Sequence, residues 1–169
     1  LLFAPHANTP FAQFLDSSQF GHQQGRYSYI CLDPFETMSE PKGIFQNIEE
    51  KLKAFSVTHH EDMPPFQGGL VGYFGYELLH EIEQLAQKES DGFSVPDVCL
   101  GFYDVVAAFD HDTKQAWIFS LHGEERAKWL ENELTPLKNA TENFLPAELN
   151  WQSDFTKEDY ISSVQKVID

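Results

Sequence analysis

The chain has 169 residues and a formal net charge of −16 at pH 7, from 27 Asp and Glu against 11 Lys and Arg. This charge argues against nucleic acid and against an anionic membrane surface as partners, because few cations are available to pair with phosphate groups. Hydrophobic residues make up 41% of the chain, which predicts a globular domain with a sizeable core, and no apolar run approaches the roughly 20 residues of a membrane-spanning helix.

The first third of the chain predicts three short strands and a helix. Strands are expected at residues 11–15 and 26–32, with residues 35–38 pairing back as a third strand. An apolar stripe at helical spacing then predicts a surface helix near residues 44–56. The stripe consists of Ile44, Ile48, Leu52 and Phe55.

A glycine-rich stretch at residues 64–77 is the most unusual part of the sequence. Its prolines mark a loop before a strand, and its glycines predict that another backbone approaches that strand closely. Gly69, Gly72 and Gly75 recur inside the apolar run and not after it, which is unlike a dinucleotide-binding loop. We therefore expect a buried strand at the centre of the sheet, followed by a short helix around Leu78.

The second half of the chain predicts a β-hairpin and two helices. Residues 84–92 are expected to form a polar loop, and residues 98–109 and 115–121 the two strands of the hairpin. An acidic helix is predicted at residues 123–134, followed by a connector at residues 135–151.

The last predicted helix begins with a capping box. Thr156 is followed three residues later by Asp159, and apolar residues then recur at helical spacing. No glycine or proline ends this helix before Asp169, so we expect the natural chain to continue.

Two groups of residues could have chemistry of their own. The run from His59 to Asp62 is expected to be a solvated loop and not a metal site, because adjacent histidines rarely share one ion. Cys31 and Cys99 stand in apolar runs without a neighbouring base, and we expect reduced core thiols of a cytoplasmic protein. No catalytic residue and no metal ligand is therefore predicted.

Several motifs in this order resemble the chorismate-utilising enzymes, namely component I of anthranilate synthase and component I of aminodeoxychorismate synthase (para-aminobenzoate synthase). The glycine-rich stretch is similar to their N-terminal region, and the remaining motifs extend the resemblance from about Phe11 to Asp169. These are Gly25-Arg26-Tyr27-Ser28 with Asp33-Pro34, Val95-Pro96-Asp97 with Tyr103-Asp104 and Phe109-Asp110-His111, and the segment Phe155 to Tyr160.

The resemblance implies an α+β fold, in which an antiparallel β-sheet with flanking helices forms one side of a larger sandwich. Residues 1–150 would be the N-terminal domain, and residues 151–169 the start of a truncated chorismate-binding domain. Catalytic glutamates, the magnesium that they bind and the chorismate site would lie downstream, and a glutamine amidotransferase subunit would supply ammonia. Trp151-Gln152-Ser153 and the short segment between Arg26 and Gly68 favour the aminodeoxychorismate branch, which serves folate biosynthesis, over the anthranilate branch.

The resemblance also implies a tryptophan pocket. The family's L-L-E-S inhibitor motif corresponds to Phe14-Leu15-Asp16-Ser17, where one leucine and the serine are kept and aspartate replaces glutamate. The predicted pocket residues are Leu15, Ser17, Arg26, Tyr27 and Ser28. Ser17 and turn carbonyls would accept from the ligand's ammonium group, and Arg26 would donate to its carboxylate.

Two readings outside this family remain at this stage. One is a free-standing acidic interaction domain without a ligand, and the other is a small hydrolase that uses a pair of carboxylates.

Overall fold

The structure, a computed structural model, describes residues 2–17, 21, 23–55, 58–83, 95–135 and 152–168. The chain divides into two compact units, Leu1–Lys138 and Asn139–Asp169. The strands are β1 (Gln13–Leu15), β2 (Tyr27–Cys31), β3 (Glu36–Met38), β4 (Gly69–Phe74), β5 (Val98–Tyr103), β6 (Val105–Asp110) and β7 (Gln115–Ser120). The α-helices are α1 (Ile44–Ala54), α2 (Glu124–Glu133) and α3 (Lys157–Ile168), and 3-10 helices occupy Ala4–His6, Gln23–Gly25 and Tyr76–Glu81.

The strands of the first unit form two antiparallel sheets. A four-stranded sheet has the order β1-β2-β6-β7, and a three-stranded sheet has the order β3-β5-β4. Helix α2 packs against the four-stranded sheet. Ile44 of α1 packs with Val98 and Leu100 of the three-stranded sheet, together with Leu78 of the 3-10 helix that follows β4. The predicted α+β class with antiparallel sheets and flanking helices is confirmed.

The glycine strand does not lie at the centre of a sheet, and that prediction was wrong. Among the described strands, β4 pairs only with β5 and forms an edge of the three-stranded sheet. The central position belongs to β5, whose side chains are mostly buried and fill both faces, whereas the glycines of β4 contribute no side chain to a core. The predicted close approach is confirmed at Gly72, where a Cβ atom would lie 2.0 Å from the carbonyl oxygen of Cys99.

The chain crosses from one sheet to the other at two points. The predicted strand 98–109 is in fact two strands, because Asp104 separates β5 from β6. Residues 32–35 likewise separate β2 from β3. Strand β3 pairs with β5 and not back onto β2, so the expected pairing of residues 35–38 was also wrong. The hairpin with residues 115–121 is confirmed as β6 and β7.

Arg126 of α2 links these two crossings by hydrogen bonds to both. Its Nε and Nη2 atoms donate to the carboxylate of Asp104 at 3.0 and 2.8 Å, and Nη1 donates to Asp33 Oδ2 at 2.8 Å. His122 Nδ1 lies 3.1 Å from the same Asp104 carboxylate. Burial opposes ionisation of Asp104, but the hydrogen bonds from Arg126 and His122 outweigh it and lower the pKa of this carboxyl group.

The four-stranded sheet packs on both of its faces. Its helix face carries Ile30, Val105 and Ala107, which pack against Leu130 and Leu134 at the end of α2. The opposite face carries a second cluster that joins the two sheets. That cluster contains Tyr29, Cys31, Val71, Tyr103, Val106 and Ala108.

The predicted helices are present in both units. Helices α1 and α2 confirm the predictions at residues 44–56 and 123–134. In the second unit, the Asp159 N–H donates to Thr156 Oγ1 at 3.2 Å, which confirms the predicted cap of α3. The predicted loop at 84–92 lies outside the described residues, as does nearly all of the connector at 135–151.

Candidate functional site

A groove of about 390 Å³ opens on the helix face of the four-stranded sheet. Its walls are mainly apolar, with three polar side chains, those of Asp16, Ser28 and His111. The apolar lining consists of Leu2, Phe3, Ala4, Phe14, Ile30 and Phe109. An apolar slot with a few polar groups is the usual form of a small-molecule site.

The strand register explains why these residues meet. Phe14 of β1 lies opposite Ile30 of β2, and Ser28 of β2 lies opposite Phe109 of β6. Side chains alternate between the two faces of a strand, so this register places all four on one face. Asp16 and His111 lie immediately after β1 and β6, respectively, and both reach the groove from these strand ends.

The hydroxyl group of Ser28 connects the polar residues of the groove. Ser28 is 2% exposed, and its Oγ accepts a hydrogen bond from the Ser17 N–H at 3.0 Å. The same Oγ lies 3.2 Å from Asp16 Oδ1 and 2.6 Å from His111 Nε2. The single hydroxyl proton can be donated to one of these two acceptors at a time. The polar part of the groove is therefore a connected network with one movable proton.

Arg26 is held beside this network by Asp110. Its Nη2 and Nε atoms donate to Asp110 Oδ2 at 2.6 and 3.0 Å, and its guanidinium carbon lies 4.9 Å from the centre of the Tyr27 ring. The other Asp110 oxygen accepts from the backbone N–H groups of Asp112 and Thr113. The Arg26 guanidinium, aided by these N–H groups against the effect of burial, holds the pKa of Asp110 well below its usual range.

Three of the five predicted pocket residues, Ser17, Tyr27 and Ser28, are joined by hydrogen bonds. Ser17 Oγ donates to the Tyr27 carbonyl oxygen at 2.5 Å, and the Ser17 N–H donates to Ser28. Leu15 is 42% exposed and lies opposite Tyr29, on the other face from Phe14. Ser28 lines the groove, whereas Leu15, Ser17, Arg26 and Tyr27 are not part of its lining.

Sequence reasoning did not select Asp16, Phe14 or His111 as site residues. Asp16 belongs to the segment that corresponds to the L-L-E-S motif. Because it lies two residues after Phe14 in an extended segment, the sequence could have indicated that the two side chains share one face. His111 is separated from Ser28 by 83 positions, and only the pairing of β2 with β6 brings the two together.

A second groove of about 520 Å³ lies between α2 and strands β6 and β7. Its charged side chains, Glu124, Lys128 and Glu131, all belong to α2, and Lys128 Nζ lies 2.8 Å from Glu124 Oε1. It contains no counterpart of the Ser28 network among its lining residues. The first groove is therefore the better candidate for a polar ligand with an apolar body.

The histidine loop is exposed, and Cys31 is buried. His59 and His60 lie in an exposed loop, with the His60 N–H donating to Gln67 Oε1 at 3.1 Å. Burial raises the pKa of the Cys31 thiol to about 12, so it is not a thiolate at neutral pH. Among the described residues, no group of three or more His, Cys, Asp or Glu side chains is placed to hold a metal ion. No described helix is long and apolar enough to cross a membrane.

Known proteins match this chain in sequence. Aminodeoxychorismate synthase component 1 of Escherichia coli is 26% identical, over 98% of this chain and 40% of its own length. Anthranilate synthase component 1 of Aquifex aeolicus is 32% identical, over 92% of this chain and 38% of its own length. The chain thus spans about 40% of the length of these relatives.

The fold is shared with a solved structure. Anthranilate synthase component I from Streptococcus pneumoniae superposes with a TM-score of 0.65 and 18% identity, over 84% of this chain and 37% of that one. The family described as chorismate binding enzyme matches residues 13–169. The resemblance inferred from the glycine-rich stretch is confirmed, and this chain belongs to the chorismate binding enzyme family.

Proposed function

We propose that this chain is the N-terminal, non-catalytic portion of an aminodeoxychorismate synthase component I. The complete protein would convert chorismate and ammonia from glutamine to 4-amino-4-deoxychorismate, for para-aminobenzoate and folate synthesis in the cytoplasm. The observation that carries this proposal is the family match over residues 13–169, combined with a span of only 40% of the Escherichia coli relative.

Catalysis, on this proposal, belongs to the part of the protein beyond this chain. No group of acidic side chains among the described residues is placed to hold a metal ion, and we assign the magnesium that the family resemblance implies to the downstream part. A second, glutamine amidotransferase component would supply ammonia, as the designation "component 1" of the relatives suggests.

Anthranilate synthase component I is the second candidate, because the Aquifex aeolicus enzyme is 32% identical. The two are separated by incubating the full-length protein with chorismate, magnesium and ammonium, and identifying the product by chromatography and mass spectrometry. We expect 4-amino-4-deoxychorismate, and formation of anthranilate instead would overturn the assignment. The 169-residue chain alone serves as the control, and we expect it to form neither product.

We also propose that the groove holds an amino acid with an apolar side chain, and tryptophan in particular. The apolar walls suit an indole, and Asp16 and the Ser28 network offer acceptors for an ammonium group. The Nε and Nη2 groups of Arg26 already donate to Asp110. A guanidinium carries five N–H groups, however, so Arg26 can also donate to a ligand carboxylate. This role for Arg26 requires its side chain to reach the mouth of the groove.

A further inference from the structure

The proposed amino-acid site contains a side chain of the type whose charge changes near neutral pH. His111 and Asp16 both line the groove, and both contact the Ser28 hydroxyl, at 2.6 and 3.2 Å. Histidine is the side chain whose ordinary titration falls between pH 5 and 8. Protonation of His111 would therefore act at the same place as the ammonium group of a ligand.

The hydrogen-bond network has two arrangements. When His111 Nε2 carries no proton, it can accept the Ser28 hydroxyl proton, which leaves Asp16 Oδ1 without that donor. When His111 is protonated, Nε2 donates to Ser28 Oγ, and the hydroxyl proton turns to Asp16. The second arrangement partly satisfies the Asp16 carboxylate and adds a positive charge beside it. Both effects oppose the binding of a ligand ammonium group.

The neighbouring ion pair does not provide an alternative source of this pH dependence. Arg26 remains protonated, and it keeps Asp110 ionised by holding the pKa of that carboxyl group low. This pair therefore has a constant charge across the range in which histidine ordinarily titrates. The strands β1, β2 and β6 with the turn after β6, and the 3-10 helix Ala4–His6, carry these titratable or charged groups near or beside them: His6, Asp16, Arg26, Tyr27, Tyr29, Cys31, Asp110, Asp112 and Lys114.

We infer that His111, acting through the Ser28 hydroxyl, makes occupation of the Asp16 end of the groove by an ammonium group pH-dependent, so that protons and ligand compete. This inference rests on the proposed amino-acid site. Because protons and the ligand compete for this end of the groove, affinity falls between pH 8 and pH 5.5, the range in which histidine side chains ordinarily change their charge.

The probe for the test is tryptamine, which has an ammonium group and an indole but no carboxylate. Its affinity for the full-length protein is measured by calorimetry at pH 8 and pH 5.5, with L-tryptophan measured in parallel. We expect tryptamine to bind about tenfold more weakly at pH 5.5 in the wild type, and equally at both pH values in His111→Gln. His80→Gln, in the 3-10 helix Tyr76–Glu81, is the matched control and should behave as the wild type.

A second measurement uses the wild type alone. Binding linkage is reciprocal, so saturating tryptamine should lower the titration midpoint of His111, followed by NMR of ¹³C-labelled histidine. An unchanged midpoint, pH-independent binding in the wild type, or the same pH dependence in His111→Gln would overturn the inference while leaving the site intact. Absence of binding of both ligands at pH 8 would overturn the amino-acid site and the inference with it.

Discussion

Replacing Gly72 by alanine tests how closely β4 and β5 approach each other. The new Cβ atom would lie 2.0 Å from the Cys99 carbonyl oxygen and 2.8 Å from the Leu100 Cα atom. Both belong to the backbone of β5, which pairs with β3 on one side and β4 on the other and cannot retreat without breaking a ladder. Gly72 also has a φ of +155°, which L-residues rarely adopt.

The two effects add to a large cost. Forcing an extra atom into a close-packed contact costs about 1 to 3 kcal/mol, and a residue held in a sparsely populated backbone region costs about 1 to 3 kcal/mol. We therefore expect Gly72→Ala to lower the free energy of unfolding by about 2 to 6 kcal/mol. That is a large part of the roughly 5 to 15 kcal/mol of a typical domain.

Two other glycines separate steric contact from backbone strain. Gly43 has a φ of +68° with no atom within 4 Å of an added Cβ, and Gly69 has a φ of +129° with its nearest neighbour, Phe66 Cε2, at 3.7 Å. Urea denaturation of the 169-residue chain, followed by circular dichroism, should show a much smaller loss for Gly43→Ala and Gly69→Ala than for Gly72→Ala. Equal midpoints in all three variants would refute the close-contact argument.

The remaining predictions concern Arg126, the acidic groups and the amino-acid site. Arg126→Met leaves the Asp104 carboxylate, whose side chain is 2% exposed, without its guanidinium partner, and it should lower the free energy of unfolding by about 3 kcal/mol. Lys128→Met on the same helix should lower it by less than about 1 kcal/mol. Equal urea midpoints for the two variants would contradict this prediction. Because the pKa of Asp110 is lowered in the folded state, the ionised carboxylate contributes fully to folding stability above its unfolded pKa of about 3.9, and this contribution is lost as the pH falls below that value. Thermal melts should therefore show a smaller loss of stability in acid for Asp110→Asn than for the wild type. Parallel losses in the two proteins would count against this argument. In the full-length protein, Asp16→Asn and Ser28→Ala, which change polar side chains of the groove, should weaken L-tryptophan binding by about 1.5 to 3 kcal/mol in calorimetry, and unchanged affinity in both would remove these residues from the site.

The local pattern of the chain was sufficient to predict most elements. Helix α1 follows from apolar residues at helical spacing, and α2 follows from an acidic segment that carries Trp129 and Leu130. The break at Asp104 was missed because one acid in a long apolar run also fits an uninterrupted strand. Its partner Arg126 stands 22 residues away, so the reason for a buried carboxylate is not local.

Sheet order and register explain the other differences. The glycine strand was expected at the centre because its glycines imply a closely approaching backbone, but strand order depends on pairings between residues far apart in sequence. For the same reason, Ser28 was selected for the site while His111 was not, although both line the same groove. Alternating apolar and polar residues show which side chains share one face of a strand. The pairing of strands in the fold decides which of these side chains become neighbours.

The position of Arg126 has a consequence for folding kinetics. Its partner Asp33 is 93 residues away, so this contact forms only after a long loop has closed. Where such a contact is absent from the folding transition state, its removal accelerates unfolding while leaving the folding rate almost unchanged. Arg126, which links both strand crossings, would thus mainly slow unfolding. It would extend the lifetime of the native state more than it accelerates folding.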